Sequence, residues 1–242
     1  MFRHVLLPGA SLRQVHAMAL IFVTATRWTQ AEFEARAPLS HSLAPVHEVT
    51  PLELRVFANN TQALALHYNA VIDAAAPDDV LVFVHDDVVV DDWMLGWRVQ
   101  EALLHFDVVG VAGNRRRRPE QTAWLMLPHS SQWDAAYLSG AIMHGQPTAK
   151  ALTFFGPTPA EVLLLDGVLL AARAGRLQAQ GVRFDPQFDF HLYDMDFCRS
   201  AQQQGLRLGT WPLAITHASG GGSYFSPAWQ RNANTYLKKW GV

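Results

Sequence analysis

An open, mostly parallel α/β sheet flanked by helices is the fold class this sequence predicts, on three grounds. Short, largely apolar runs, ALIFVT at 19–24, VLVFV at 80–84 and DVVGVAG at 107–113, read as strands buried on both faces. Segments of helical period stand between them, which is the alternation of α/β proteins. Half of the 242 residues are apolar and 17% are charged, enough apolar material for a sizeable core and too much for a disordered chain.

Each element follows in order. After ALIFVT, a loop carrying Pro38, Pro45 and Pro51 leads to a second strand, LRVFA at 54–58. Asn59 or Asn60 then caps a helix through LALHYNAVIDAA to Pro77, with Leu64, Tyr68, Val71 and Ala75 on one face. VLVFV is the clearest buried strand and ends abruptly in His85-Asp86-Asp87. Asp91 is a good N-cap for a helix through Trp93, Trp97 and Leu104. Residues 115–160 hold an arginine run, scattered Trp and Pro, and little periodicity. EVLLLDG at 161–167 and VLLAAR restore order, and RLQAQG ends at Gly181 as a helix would. A helix from about Tyr193 to Gln204 stops at Gly205, and LRLGTWPLAITH reads as a strand interrupted near Pro212. Ser226-Pro227 supplies an N-cap and a first-turn proline for a terminal helix to Trp240.

The chain thus reads as one domain over 1–242, with one half at about 19–114, a second at about 115–225 and a C-terminal helix at 226–242. Nineteen basic against 21 acidic residues leave a net charge of −2, which argues against a strong overall pull to nucleic acid or membrane. The single cysteine, Cys198, excludes an intramolecular disulfide framework and a Cys-rich zinc site, and its helix-interior position suits a small core residue. MFRHVLLPGASLRQ holds no apolar run of signal-peptide length before Pro8-Gly9, and no run approaches the roughly 20 apolar residues of a bilayer span. A soluble, cytoplasmic location is the expectation, with peripheral contact at the inner face of a membrane left open.

Three features could carry chemistry. His85-Asp86-Asp87 lies at the carboxyl end of a buried strand, where open α/β sheets bind ligands, and its adjacent acids suit a divalent cation. Strand alternation sends His85 and Asp87 to one side and Asp86 to the other; a solvated turn is the alternative. The second feature, FDPQFDFHLYDMDFCRSAQQQG at 184–205, puts Asp194 and Asp196 at the opening of a helix, framed by Asp185, Asp189 and His191. The helix dipole favours acids there, yet five acids or histidines within twelve residues, interleaved with Phe and Tyr, suggest a partly buried polar site holding a general base. The third is THASGGGS at 216–223, where His217 could complete a metal site with Asp87 and the glycine loop could close over a ligand.

In this order the features resemble the GT-A glycosyltransferases, of the inverting family-two type and its smaller bacterial branch. The resemblance spans about residues 19–223 and rests on 64–88, 162–173, 183–198 and 215–223. It implies a Rossmann-like nucleotide-binding half and an acceptor half in a GT-A-like fold. In that family an Asp-X-Asp ends the strand equivalent to VLVFV and its last acid binds the metal that holds the nucleotide diphosphate. The resemblance therefore gives Asp87 the metal role and puts His85 where the first acid stands. It makes Asp194 the base, His217 a further metal ligand, and Thr24-Ala25-Thr26 the cradle of base and ribose. Asn59 stands where an acid is usual, and Asp166-Gly167 where the donor-sugar pocket is lined, although a strand-turn role suits that pair equally. The implied reaction is transfer of a hexose from a nucleotide-diphosphate sugar to an acceptor hydroxyl with inversion, using Mn²⁺ or Mg²⁺, on the path to a surface polysaccharide or glycolipid. Residues 115–118, all arginine, read as a solvated basic loop or a phosphate contact; Trp124, Trp133 and Tyr137 read as packing or as sugar-stacking rings.

Rivals remain at this level. A nucleotidyltransferase needs a glycine-rich, basic loop after the first strand, where TATRW stands. A metal-dependent hydrolase built from His85, Asp87, Asp194 and His217 would need no nucleotide, and a non-catalytic nucleotide- or carbohydrate-binding module would bind without transfer. Nucleic-acid binding would rest on four arginines alone.

Overall fold

The computed structural model describes residues 18–146, 149–219 and 224–241. The glycine stretch 220–222 and Ser223, taken above as a loop able to close over a ligand, lie outside the described residues. The first strand, β1 (Leu20–Ala25), leads into α1 (Gln30–Arg36) and α2 (Pro38–Val49), then β2 (Leu52–Phe57), α3 (Leu64–Ala74) and β3 (Val80–Val84). β4 (Val88–Val90), α4 (Leu95–Ala102), β5 (Val108–Gly110) and β6 (Ala112–Asn114) follow. The middle of the chain forms β7 (Leu138–Gln146), β8 (Ala149–Gly156), β9 (Ala160–Val162), β10 (Leu164–Leu165) and β11 (Leu169–Arg173). The last elements are α5 (Ala174–Ala179), α6 (Tyr193–Gln203), β12 (Leu208–Thr210), β13 (Ile215–His217) and α7 (Pro227–Trp240).

Two sheets share one core. Seven strands run in the order β2-β1-β3-β11-β5-β12-β9, and a second sheet runs β10-β6-β7-β13-β4 with β8 beside β7. This is a mixed α/β fold with helices against the sheets. β2, β1 and β3 are mutually parallel, as is the pair β5 and β12, whereas β11 lies antiparallel to both its neighbours. The larger sheet is therefore more mixed than expected, because β11 returns through a three-residue turn from the second sheet and not through a helix. The strand order reverses between β2 and β3 around β1, which opens a crevice at the carboxyl ends of β1 and β3.

Several expectations are corrected. The proline-rich stretch after β1 is helical. Thr29 caps α1 in a reciprocal capping box with Glu32, and Pro38 sits in the first turn of α2, where a missing N–H costs nothing. Pro45 lies inside α2, which Leu39, Leu43 and Val46 bury against the core. Neither Asn59 nor Asn60 caps α3. Asn60 instead closes a turn on itself, its Oδ1 accepting from the Gln62 N–H at 2.8 Å, and the helix starts after Ala63. Asp91 does not cap α4: its carboxylate pairs with Lys150 at 2.7 Å, and Asp92 takes the Met94 N–H at 2.9 Å. Residues 107–113 form two strands, β5 and β6, in different sheets. The stretch 115–160, without visible period, contains the long β7–β8 hairpin. Its strand signal is broken by glycines, one of which is indispensable: a Cβ on Gly140 would lie 2.0 Å from the Val111 carbonyl oxygen.

Candidate functional site

Three segments meet at the site, two of them links between the sheets and the third the carboxyl end of β13. His85–Asp87 joins β3 to β4, residues 166–168 join β10 to β11, and His217 ends β13. Register brings them together. Leu169 pairs with Val84, so the Asp166-Gly167 turn abuts His85, whose N–H donates to the Val168 carbonyl at 3.2 Å. His217 pairs with Val88, and the Ala218 N–H donates to the Asp87 carbonyl at 2.9 Å. The amino end of α6 closes the fourth side: Tyr193 donates its hydroxyl to the Gly167 carbonyl at 2.8 Å, and the Gly167 N–H donates to Asp194 Oδ2 at 2.9 Å.

His85, Asp87 and His217 converge, with one nitrogen or oxygen from each within 4.8 Å of the others. Asp87 Oδ1 and His217 Nε2 are 3.2 Å apart, close enough for both to reach one cation. Burial would raise the Asp87 pKa, but the hydrogen bond and charge of His217 bring it down to about 2. His217 is correspondingly raised, since its contact with Asp87 outweighs its burial. Burial lowers His85 and keeps it neutral, which a metal ligand requires. Its tautomer follows from its partner. The single Tyr193 hydroxyl proton goes to the Gly167 carbonyl, so His85 Nε2, 3.1 Å from that hydroxyl, must carry the proton and Nδ1 keeps its lone pair. The donor set of two imidazoles and a carboxylate fits a divalent cation and leaves coordination positions for other oxygens.

A cleft of about 700 Å³ opens over these residues. Ala25, His85, Asp86, Asp87, Asp166, Gly167, Asp194 and His217 all line it. Its four acids face no Lys or Arg among the described lining residues. Asp194 is raised to about 7, first by burial and then by the charge of Asp166, against the lowering effect of its backbone hydrogen bonds.

The remaining anticipated residues lie apart from the cleft. Thr24 is fully buried in β1, Thr26 uses its hydroxyl to accept from the Trp28 N–H at 3.2 Å, and Asn59 stands exposed at φ 53° beyond β2. Of the five acids and histidines around α6, only His191 and Asp194 line the cleft. Asp185 and Asp196 pair with Lys239, and Asp189 accepts from Asn232, so these three tie α7 to α6. The arginine run makes no contact with the cleft. Arg116 pairs with the buried Asp134 and stacks over Tyr137 at 3.5 Å, while Arg117 donates to Gln202 at 3.2 Å. Cys198 is fully buried in α6 and accepts from the Leu165 N–H at 3.2 Å.

Sequence reading overlooked Tyr193 as a link between His85 and Gly167, and Ser219, whose hydroxyl is 3.1 Å from His217 Nε2. It overlooked His144 as well, which lines the cleft beside His217 from a strand that showed no period. The position of Tyr193 immediately before Asp194 was the one available signal.

No protein-family model and no curated protein matches the chain. Among solved structures it is similar to residues 1–349 of TarS from S. aureus, at 14% identity and a TM-score of 0.48, over 83% of this chain and 60% of that one. It is also similar to the catalytic domain of Drosophila beta1,4-galactosyltransferase 7 in complex with xylobiose, at 11% identity and 0.45, over 90% and 80%. A third is the mannosyltransferase PcManGT from Pyrobaculum calidifontis in complex with GDP-Man and Mn²⁺, at 12% and 0.45, over 92% and 63%. Among the described residues no helix is long and apolar enough to cross a membrane.

Proposed function

We propose that the chain is a metal-dependent glycosyltransferase of the inverting, family-two kind, moving a hexose from a nucleotide-diphosphate donor to an acceptor hydroxyl. The reading is carried by one juxtaposition: a carboxyl group titrating near neutrality, Asp194, shares a cleft and a turn, Asp166-Gly167, with three convergent metal ligands. His85, Asp87 and His217 would hold Mn²⁺ or Mg²⁺, which when bound supplies the positive charge that the diphosphate leaving group needs. The cleft itself strengthens this requirement. With four acids and no Lys or Arg in its described lining, it would repel a diphosphate in the absence of a cation.

Asp194 takes the proton of the acceptor hydroxyl as its oxygen bonds to the anomeric carbon, and the electron pair of the breaking bond leaves on the diphosphate. One displacement from the opposite face inverts that carbon. Asp86 and Asp166-Gly167, which line the cleft, would read donor sugar hydroxyls, and Ala25, at the end of β1, would border the nucleoside. A surface glycan or glycolipid, met at the inner face of a membrane, is the acceptor class this reading favours.

Calorimetric titration with UDP, GDP, CDP and dTDP, each with and without Mn²⁺, tests it. Binding of one nucleotide only with metal is expected; Asp87→Ala should abolish it, and Asp194→Asn should keep it while lowering transfer by roughly 10²–10⁴. Equal loss of nucleotide binding in both variants would overturn the division of roles. Turnover of esters or phosphates without any nucleotide would favour a hydrolase instead.

A further inference from the structure

The cleft also has an aromatic wall, built from Trp124, Trp133 and Phe155. Trp124 is buried at its base, with its ring centroid 5.1 Å from Phe155 in an edge-to-face contact. Trp133 lies against the same Phe155 at 5.5 Å but keeps 46% of its surface open, and all three rings line the cleft. Trp133 is fixed from behind. Met126 and Trp133 form an isolated β-bridge, and the Asp134 N–H donates to the Leu125 carbonyl at 2.8 Å. The Asp134 carboxylate is buried, paired with Arg116 and bonded by Asn114 at 3.3 Å. The arginine run therefore braces the loop that presents this indole.

A large, immobilised, half-open aromatic face in a cleft that also presents hydroxyls, imidazoles and carboxylates suits a ligand that is apolar on one face and polar around its rim. A pyranose ring is such a ligand: its axial C–H groups form an apolar face and its equatorial hydroxyls reach sideways. Thr153 and Thr122 also line the cleft and offer hydroxyl partners for that rim. We propose that Trp133, backed by Phe155 and Trp124, is a stacking platform for a pyranose ring of the acceptor, so that the acceptor is a carbohydrate and not a simple alcohol. The inference rests on the glycosyltransferase reading of the acidic wall, and its test separates the two.

Saturation-transfer NMR with methyl glucopyranoside, galactopyranoside and xylopyranoside at millimolar concentration should show transfer to the C–H protons of one ring face. Trp133→Ala should weaken binding of the best glycoside roughly three- to tenfold, Trp133→Phe should restore most of it, and Trp97→Ala, which alters an indole 61% exposed on α4, should change nothing. Circular dichroism of each variant verifies folding. In the same samples, Mn²⁺-dependent nucleotide binding by calorimetry should be unchanged. Glycoside binding that survives Trp133→Ala, or displacement by 1-octanol with no glycoside signal, overturns the platform. Loss of nucleotide binding in the unaltered protein while the glycoside effect persists overturns the transferase reading and leaves the platform standing.

Discussion

Asp194 shows how far the surroundings of a single side chain move it from its usual behaviour. An ordinary carboxyl is a weak base near neutrality because it ionises around pH 4. Here burial, then the neighbouring charge of Asp166, lift it to about 7, while the Gly167 and Met195 N–H groups hold the carboxylate in place at 2.9 and 2.8 Å. Two consequences follow at this scale. As the proposed base, Asp194 would act in its ionised form, so kcat should rise with pH through about 7, as a pH–rate profile would show. Stability moves the other way: with the folded pKa above the unfolded one, the native state binds the extra proton, so this contribution is complete below about pH 4 and is lost as pH climbs through about 7. Urea midpoints measured from pH 4 to 8 should therefore fall less steeply for Asp194→Asn than for the unaltered chain.

At the scale of elements, the turn between β10 and β11 and the amino end of α6 behave as one unit. A Cβ on Gly167 would lie 2.4 Å from the Tyr193 hydroxyl oxygen and 2.9 Å from the Asp194 Cβ. Gly167→Ala should push α6 away from His85, cost about 1–3 kcal/mol of stability and lower kcat more than it weakens metal binding. Chemical denaturation and steady-state kinetics on one preparation would register both effects. The helix is anchored from its other side by α7, where the fully buried Asp196 accepts from Lys239 Nζ at 3.0 Å and from the Trp240 indole at 2.8 Å. Lys239→Met leaves that carboxylate with the indole alone. Because Lys239 retains access to solvent, the expected loss is about 2 kcal/mol, below the 3–5 kcal/mol of a fully dry pair, and a shifted denaturation midpoint measures it.

Over the whole molecule, the three segments at 85–87, 166–168 and 217, far apart in the chain, are held in place by both sheets at once, so a cation bound there should stabilise the entire fold. At a concentration a hundred times its dissociation constant, Mn²⁺ should add about 2.7 kcal/mol, or ~5–10 °C in Tm for a chain of this size. Differential scanning fluorimetry should show that rise, EDTA should reverse it, and Asp87→Ala or His217→Ala should remove it. An unchanged Tm at saturating Mn²⁺ and Mg²⁺ would argue against a metal at these residues.

The division between sequence and structure is a division between local and long-range physics. Periodicity alone determined β3, α6, α7 and the class of the fold, because a fully apolar five-residue run, a capping serine followed by proline and a terminating glycine each act over a few neighbours. The same local signals made His85-Asp86-Asp87, Tyr193-Asp194 and His217 conspicuous. They misread 30–49, where helix packing tolerates prolines, and 138–156, where glycines mask a hairpin whose stability comes from its partner strands. Only the tertiary structure decided which candidates meet. Strand register places His217 beside Asp87, the return of β11 lays Gly167 against Tyr193, and Asp185, Asp189 and Asp196 are drawn off to α7. Contacts between residues this far apart in the chain depend on how the elements pack, and no local pattern encodes that.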